Sequence, residues 1–343
     1  MIDIHTHFLP RSWPDLAARF GSPDWPWLKH TGAGQAMLMV GEREFRPVSA
    51  ACWDASVRLE AMDRDGVEVQ IMCATPLLFA YQRPAAQALE CARIFNDAAR
   101  EICSHAPRRL KSLCQVPLQD PELACRELSR AKADGHIGVH IGNHVGPREL
   151  NDEGTISFLE HCAAEGAVVF VHPWDMMAQE RMPKYQLPWL VAMPAETQLS
   201  ILWLILSGAF ERLPRSLKLC FAHGGGSFPY LLGRVDNAWR NRDVVREDCP
   251  HPPSSYLDRF SVDAAVFSPE SLEFLVKAMG EDRVMLGSDY PFPLGEQQVG
   301  SLVRSHSTLP RRTREKLLRG NAAAFFGLEP ASASLANAER RRA

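Results

Sequence analysis

The sequence predicts an α/β barrel of eight parallel strands. Eight short β-like runs recur along the 343 residues, with long amphipathic stretches between most of them. A chain of this length suits one barrel, which takes roughly 250 residues before insertions. Polar, chemistry-bearing side chains stand at the C-terminal ends of several runs, where a barrel gathers its active site. At 46% hydrophobic residues the chain can bury a sizeable core. No glycine-rich dinucleotide fingerprint follows the first run, so an open doubly wound sheet loses its main support.

The first strand, Ile2 to Thr6, lies in MIDIHTHFLP. Side chains alternate across a strand, so His5 and His7 present both imidazoles to one side. From about Ser22 to Val48 the rhythm breaks: AMLMVGEREFRPV has two β-like runs around a polar turn. This predicts a β-hairpin insertion after strand one that caps the catalytic face. Further strands are predicted at Val67 to Ala74, Leu110 to Val116, Ile137 to Ile141, Val168 to His172, Leu217 to Ala222, Phe260 to Asp263 and Val284 to Ser288. Amphipathic stretches at Pro84 to His105, Pro121 to Asp134, Thr155 to Glu165, Ala195 to Arg212, Pro269 to Met279 and Arg311 to Phe326 predict the helices. This alternation argues for parallel βα units in one domain over 1–330. The last residues, 331–343, are rich in Ala, Ser, Glu and Arg and predict a frayed tail.

The net charge of −3 leaves no global electrostatic reason to bind nucleic acid or an anionic membrane. Nine scattered cysteines without a CxxC pair are expected as reduced core thiols. The most apolar run, LSILWLILSGAF, falls short of the ~20 residues a bilayer span takes and predicts a buried helix. The start of the chain lacks the basic and apolar regions of a signal peptide, so a soluble, cytoplasmic protein is expected.

The strand ends carry the chemistry. Strand one ends in His5 and His7, strand five (AVVFVHPWD) in His172, strand six (LKLCFAHGGG) in His223 and strand eight (VMLGSDYP) in Asp289. A single strand-end histidine is ordinarily a satisfied core or loop residue. Several imidazoles and a carboxylate at one end of a barrel are the donor set of zinc or a related divalent metal. His140 and His144, in HIGVHIGNHVG, are placed at the mouth in a supporting role, and Asp3 as a hydrogen-bond orienter of the first strand.

These residues, with the segments IDIHTHFLP, FRPV, CATPLLFAY, QVPLQD, IGNHVG, VHPWDMM, LPWLVAMPAET, FAHGGGSF, LLGRVDNAWR and VMLGSDYPFPLGEQ, resemble the amidohydrolase superfamily. Within it they are most similar to the α-amino-β-carboxymuconate-ε-semialdehyde decarboxylases, along nearly the whole chain. The resemblance implies a distorted (β/α)8 barrel that removes CO2 non-oxidatively from that semialdehyde to give 2-aminomuconate semialdehyde, without an organic cofactor. It implies one zinc held by His5, His7, His172 and Asp289 with a water, Co2+ or Fe2+ being possible substitutes. It places His223 beside that water as acid/base, and Arg46 and Arg234 on the substrate's carboxylates, where a guanidinium fork suits bidentate recognition. Arg234 would come from the second subunit of a homodimer. The fourth strand, IGVHIGNH, has no lysine of the kind that bridges two ions in bimetallic relatives, in keeping with a single ion. A hydrolase or an aromatic-acid decarboxylase of the same superfamily would use the same metal residues. Gln186 stands where some family members have a tryptophan near the substrate, so Tyr185 is expected to supply the aromatic wall, with Phe292 and Met176 as further lining residues.

Overall fold

The computed structural model describes residues 1–328. The predicted tail, 331–343, lies outside the described residues. All eight predicted barrel strands form: Ile2–Phe8, Val69–Ala74, Leu110–Ser112, Gly138–Gly142, Val168–His172, Lys218–Phe221, Ser261–Asp263 and Val284–Met285. Strands one to three pair in parallel, as do strands four to eight. Single bridges join the two runs, Cys114 to Val139 on one side and Thr6 to Tyr290 on the other. The backbone bonds at these seams, Cys114 N–H to Gly138 O at 2.9 Å and His7 N–H to Tyr290 O at 2.6 Å, close the ring. Because two seams are bridges and not full ladders, the barrel is distorted.

Both faces of such strands are covered, which is why they read as near-continuous apolar runs. Every residue of Ile2–Phe8, Gly138–Gly142 and Val168–His172 is buried. The intervening helices start where local chemistry favours it. The Asp120 carboxylate accepts the Leu123 N–H at 3.0 Å ahead of helix Pro121–Ala133, and Ser268 caps Pro269–Met279. Helices Ala85–Ser104 and Glu153–Ala164 also match expectation. The predicted helix over Ala195 to Arg212 is instead two, Met193–Leu206 and Ala209–Arg212, divided at Gly208, whose φ of 70° ends the first. The helical stretch Pro188–Leu206 is long and apolar enough to cross a membrane by length and composition. Its Ile201, Leu204 and Ile205 nonetheless belong to the main core cluster. Helix Ala55–Asp65 is not among the expected amphipathic stretches, and the helix after HGGG that carries Arg234 spans Phe228–Asn241.

The insertion has three strands and not two. Pro26–Gly32, Gln35–Val40 and Arg43–Ser49 form an antiparallel meander, with Trp27 opposite Met39 and Leu38 opposite Arg46. The first of these, PWLKHTG, is largely solvent-exposed, so it lacks the apolar alternation that marks a strand in a sequence. Ala36, Leu38 and Val48 pack with Trp25, Phe8 and Phe292, which seats the meander on the mouth of the barrel beside strand one.

Strands four and five meet where no side chain fits. A Cβ on Gly138 would lie 2.3 Å from the Val168 carbonyl oxygen. Gly138→Ala is expected to cost about 1–3 kcal/mol through backbone displacement, measured by urea denaturation.

Candidate metal centre and active-site cavity

The ends of strands one, five, six and eight bring the predicted residues to one point. Donor atoms of His5, His172, His223 and Asp289 all lie within 4.8 Å of one another. His7 joins through its Nε2, 3.1 Å from His5 Nε2 and 3.0 Å from Asp289 Oδ1. The compact four-atom group thus contains His223, expected beside the ion, while His7, expected as a ligand, sits at its edge. Asp289 divides the two roles: Oδ1 faces His7 and, at 3.5 Å, His5, whereas Oδ2 lies 4.0 Å from His223 Nε2. His223 and Asp289 both hold left-handed backbone, φ 55° and 61°, a conformation that non-glycine residues keep only where surrounding structure enforces it.

The donors are aimed by their neighbours. His5 Nδ1–H donates to Asp263 Oδ2 at 2.6 Å, which leaves Nε2 as a lone pair directed at the cluster. Asp263, at the end of strand seven, also accepts the Gly224 and Ala265 N–H groups at 2.9 and 3.1 Å. His172 Nδ1–H donates to the Pro173 carbonyl at 2.8 Å, so its buried Nε2 has no hydrogen-bond partner. Asp3 acts as the expected orienter, accepting from Ser288 Oγ at 2.6 Å and from the His5 N–H at 3.3 Å. Gly287 is required by this packing, since a Cβ there would meet His5 Cβ at 2.9 Å and Asp263 Cβ at 2.8 Å.

Electrostatics suit cation binding. Burial favours neutral imidazole and pushes His7 down to about 4, and pushes His172 and His223 below their ordinary value. Burial does the same to His5, but the Asp263 hydrogen bond and the charges of Asp289, Asp263 and Asp3 outweigh it and raise its pKa. Burial would raise Asp289, yet the hydrogen bond from His7 and the nearby His5, His7 and His223 hold it below the usual carboxylate range. Imidazoles held neutral at His7, His172 and His223 beside an ionised carboxylate, with an unpartnered lone pair on His172, fit a divalent metal ion. His140 is also buried beside the cluster, its ring centroid 5.6 Å from that of His172 and 6.1 Å from that of His7, with neither ring nitrogen hydrogen-bonded.

A cavity of about 750 Å³ opens on the cluster at His7, His172 and Asp289 and extends under the meander. Arg46 projects into it from Arg43–Ser49, with its guanidinium carbon 4.6 Å from the Phe292 ring centroid, 5.0 Å from Phe45 and 6.0 Å from Trp189. Met176 and Gln186 line the cavity as well. Tyr185 does not: it is 82% exposed, and Trp189, at the start of the helical stretch that follows, supplies the aromatic wall instead. Arg234 lies exposed on helix Phe228–Asn241 and does not line the cavity of its own chain. His144 is half-buried and hydrogen-bonds the Gly146 carbonyl through Nδ1 at 2.9 Å.

The family model described as amidohydrolase matches residues 2–328. The chain belongs to the amidohydrolase family. This amidohydrolase is 42% identical to the 2-amino-3-carboxymuconate-6-semialdehyde decarboxylase of Dictyostelium discoideum, over 96% of this chain and 92% of that one. It is 32% identical to the enzyme of the same name from Caenorhabditis elegans, over 96% and 94%. Its fold is similar to that of Metarhizium anisopliae IDCase, with a TM-score of 0.82 at 22% identity, covering 96% of this chain and 97% of the other.

Asp263 is the site residue that reasoning from sequence passed over, although FSVD places a carboxylate at a strand end like the other four. Asp263→Asn keeps the size of the side chain but disturbs its hold on the His5 tautomer. It is expected to weaken metal affinity of the amidohydrolase about 10–100-fold, measured by titration against a competing chelator.

Proposed function

We propose that this amidohydrolase is a metal-dependent decarboxylase of 2-amino-3-carboxymuconate-6-semialdehyde, releasing CO2 without oxidation to give 2-aminomuconate semialdehyde. The observation that carries the reading from metal site to substrate is Arg46. Its guanidinium is largely buried, faces three aromatic rings and has no carboxylate within salt-bridge distance among the described residues. A desolvated, unpaired cation beside the cluster is a receptor for an anionic substrate group, and its planar fork matches a carboxylate. The decarboxylase names of relatives at 42% and 32% identity over nearly the whole chain support the same substrate.

His5, His7, His172 and Asp289 would hold the ion. Three imidazoles and one carboxylate favour zinc, with cobalt or iron(II) as substitutes. A divalent ion bound there supplies Lewis acidity that makes water nucleophilic near neutral pH. His223 Nε2, facing Asp289 Oδ2, takes a proton from the water as its oxygen adds to one carbon of the conjugated system, and returns that proton to the neighbouring carbon that bears the carboxylate. As CO2 departs, the electron pair of the broken C–C bond re-forms the double bond and expels the added oxygen as hydroxide, so CO2 is replaced by hydrogen and no organic electron sink is needed. Arg46 fixes a carboxylate so that the bond to be broken stands across the π system. The exposed position of Arg234, outside its own cavity, supports its delivery to the site of a second copy in a homodimer.

Enzymatically generated semialdehyde should lose its absorbance with the metal-loaded protein and persist with the chelated one. Equal decay in both would defeat the reading. His223→Ala is expected to keep its metal while kcat falls ~10²–10⁴-fold. Arg46→Lys is expected to lower kcat/KM by about 1.5–3 kcal/mol, the range for a charge-assisted hydrogen bond, read from initial rates.

A further inference from the structure

Arg58, on helix Ala55–Asp65, is 1% exposed and is the largest of the fully buried side chains. No carboxylate lies within salt-bridge distance of it among the described residues. A buried arginine without a counter-charge is costly unless its donors are all used where they are needed. Its Nη2 donates to the His7 carbonyl at 2.5 Å and to the Ala51 carbonyl at 3.1 Å. Its Nη1 donates to Gln70 Oε1 at 3.0 Å and to Thr6 Oγ1 at 3.2 Å. The guanidinium carbon lies 5.1 Å from the centroid of the Tyr290 ring, next in sequence to Asp289.

These acceptors come from different segments of the site. Thr6 and His7 belong to the strand that presents both first-strand imidazoles, and Gln70 to strand two beside it. Ala51 follows directly on strand Arg43–Ser49, which carries Arg46. Nothing in the proposed reaction uses Arg58, and it does not line the cavity.

The geometry points to Arg58 as the positioning residue that fixes His7 against the metal cluster and ties the Arg46 strand to the same frame. One planar fork sets the end of strand one, the exit of the meander and the turn that carries Asp289 relative to one another. Only a guanidinium does this, because a lysine ammonium offers three donors at one point and cannot span the His7 and Ala51 carbonyls together. The inference rests on the metal-site reading, and its test separates the two.

The test uses the full chain stripped of metal and titrated with Co2+, followed by visible absorption and by a competing chelator. Wild-type protein should take up Co2+ and show its ligand-field bands. In Arg58→Lys the bands should shift, Co2+ affinity should fall about 10-fold or more, and kcat should drop with a smaller change in KM. Gln70→Leu removes one acceptor and leaves the fork on His7. It should show the same signature at smaller amplitude, and it carries the test alone if Arg58→Lys does not fold. A folded variant with unchanged bands, affinity and kcat overturns the positioning role while the metal site stands. Wild-type protein that takes up no Co2+ overturns the metal reading and this inference with it.

Discussion

The structure depends on imidazole nitrogens gathered, mostly buried, at the inner end of a cavity. His5 Nε2 and His7 Nε2 face each other at 3.1 Å, with the partnerless Nε2 of His172 close by. Nitrogens so close are compatible only with a cation or a proton among them; the proton that His7 Nε2 donates to Asp289 Oδ1 holds that place until a metal ion takes it, and burial disfavours any further proton. Everything around the cluster is arranged to keep them in that opposition. Asp263 removes the alternative tautomer of His5, Pro173 does so for His172, and Gly287 leaves room for both His5 and Asp263.

That constraint explains why the site is assembled on the strand ends and the short turns that follow them. Side chains on neighbouring strands of a closed parallel barrel have little freedom of register, so His5 and His172 converge from the strands themselves, while His223 and Asp289 stand in the turns just beyond Lys218–Phe221 and Val284–Met285. Where direction must change abruptly, backbone strain is accepted. His223 and Asp289 adopt left-handed conformations at the ends of strands six and eight, each turning its side chain across the barrel mouth.

The parts of this arrangement that follow a period were legible in the sequence. Alternation in IDIHTH placed two imidazoles together, and the recurrence of apolar runs placed His172, His223 and Asp289 at a common end. Asp263 was equally visible by position, but a carboxylate that orients a ligand has the same sequence signature as one that faces solvent. Arg58 was not legible at all: it lies in the charged stretch ASVRLEAMDRD, and only the three-dimensional frame reveals that its side of the helix is buried. The first strand of the meander, Pro26–Gly32, escaped because an exposed edge strand has no apolar alternation to show. Tyr185 stands nearest in sequence to the substituted Gln186, but its side chain is exposed and Trp189 lines the cavity in its place.

The same imidazole and carboxylate cluster would serve hydrolysis as well as decarboxylation, so the difference must lie in how the substrate is held. Hydrolysis asks for a carbonyl presented to the nucleophile and a leaving group to be protonated. Decarboxylation asks for a carboxylate gripped at a fixed angle while the carbon behind it becomes electron-rich. Arg46 meets the second demand: it approaches the cluster from the meander, its charge set against the faces of Phe45, Phe292 and Trp189 and not against a protein carboxylate. On the proposed reading, aromatic walls that offer no protein carboxylate leave the planar fork open to a substrate carboxylate. On that reading the meander is part of the chemistry and more than a cover, because the distance from Arg46 to the metal cluster is set by how Arg43–Ser49 seats on the barrel mouth.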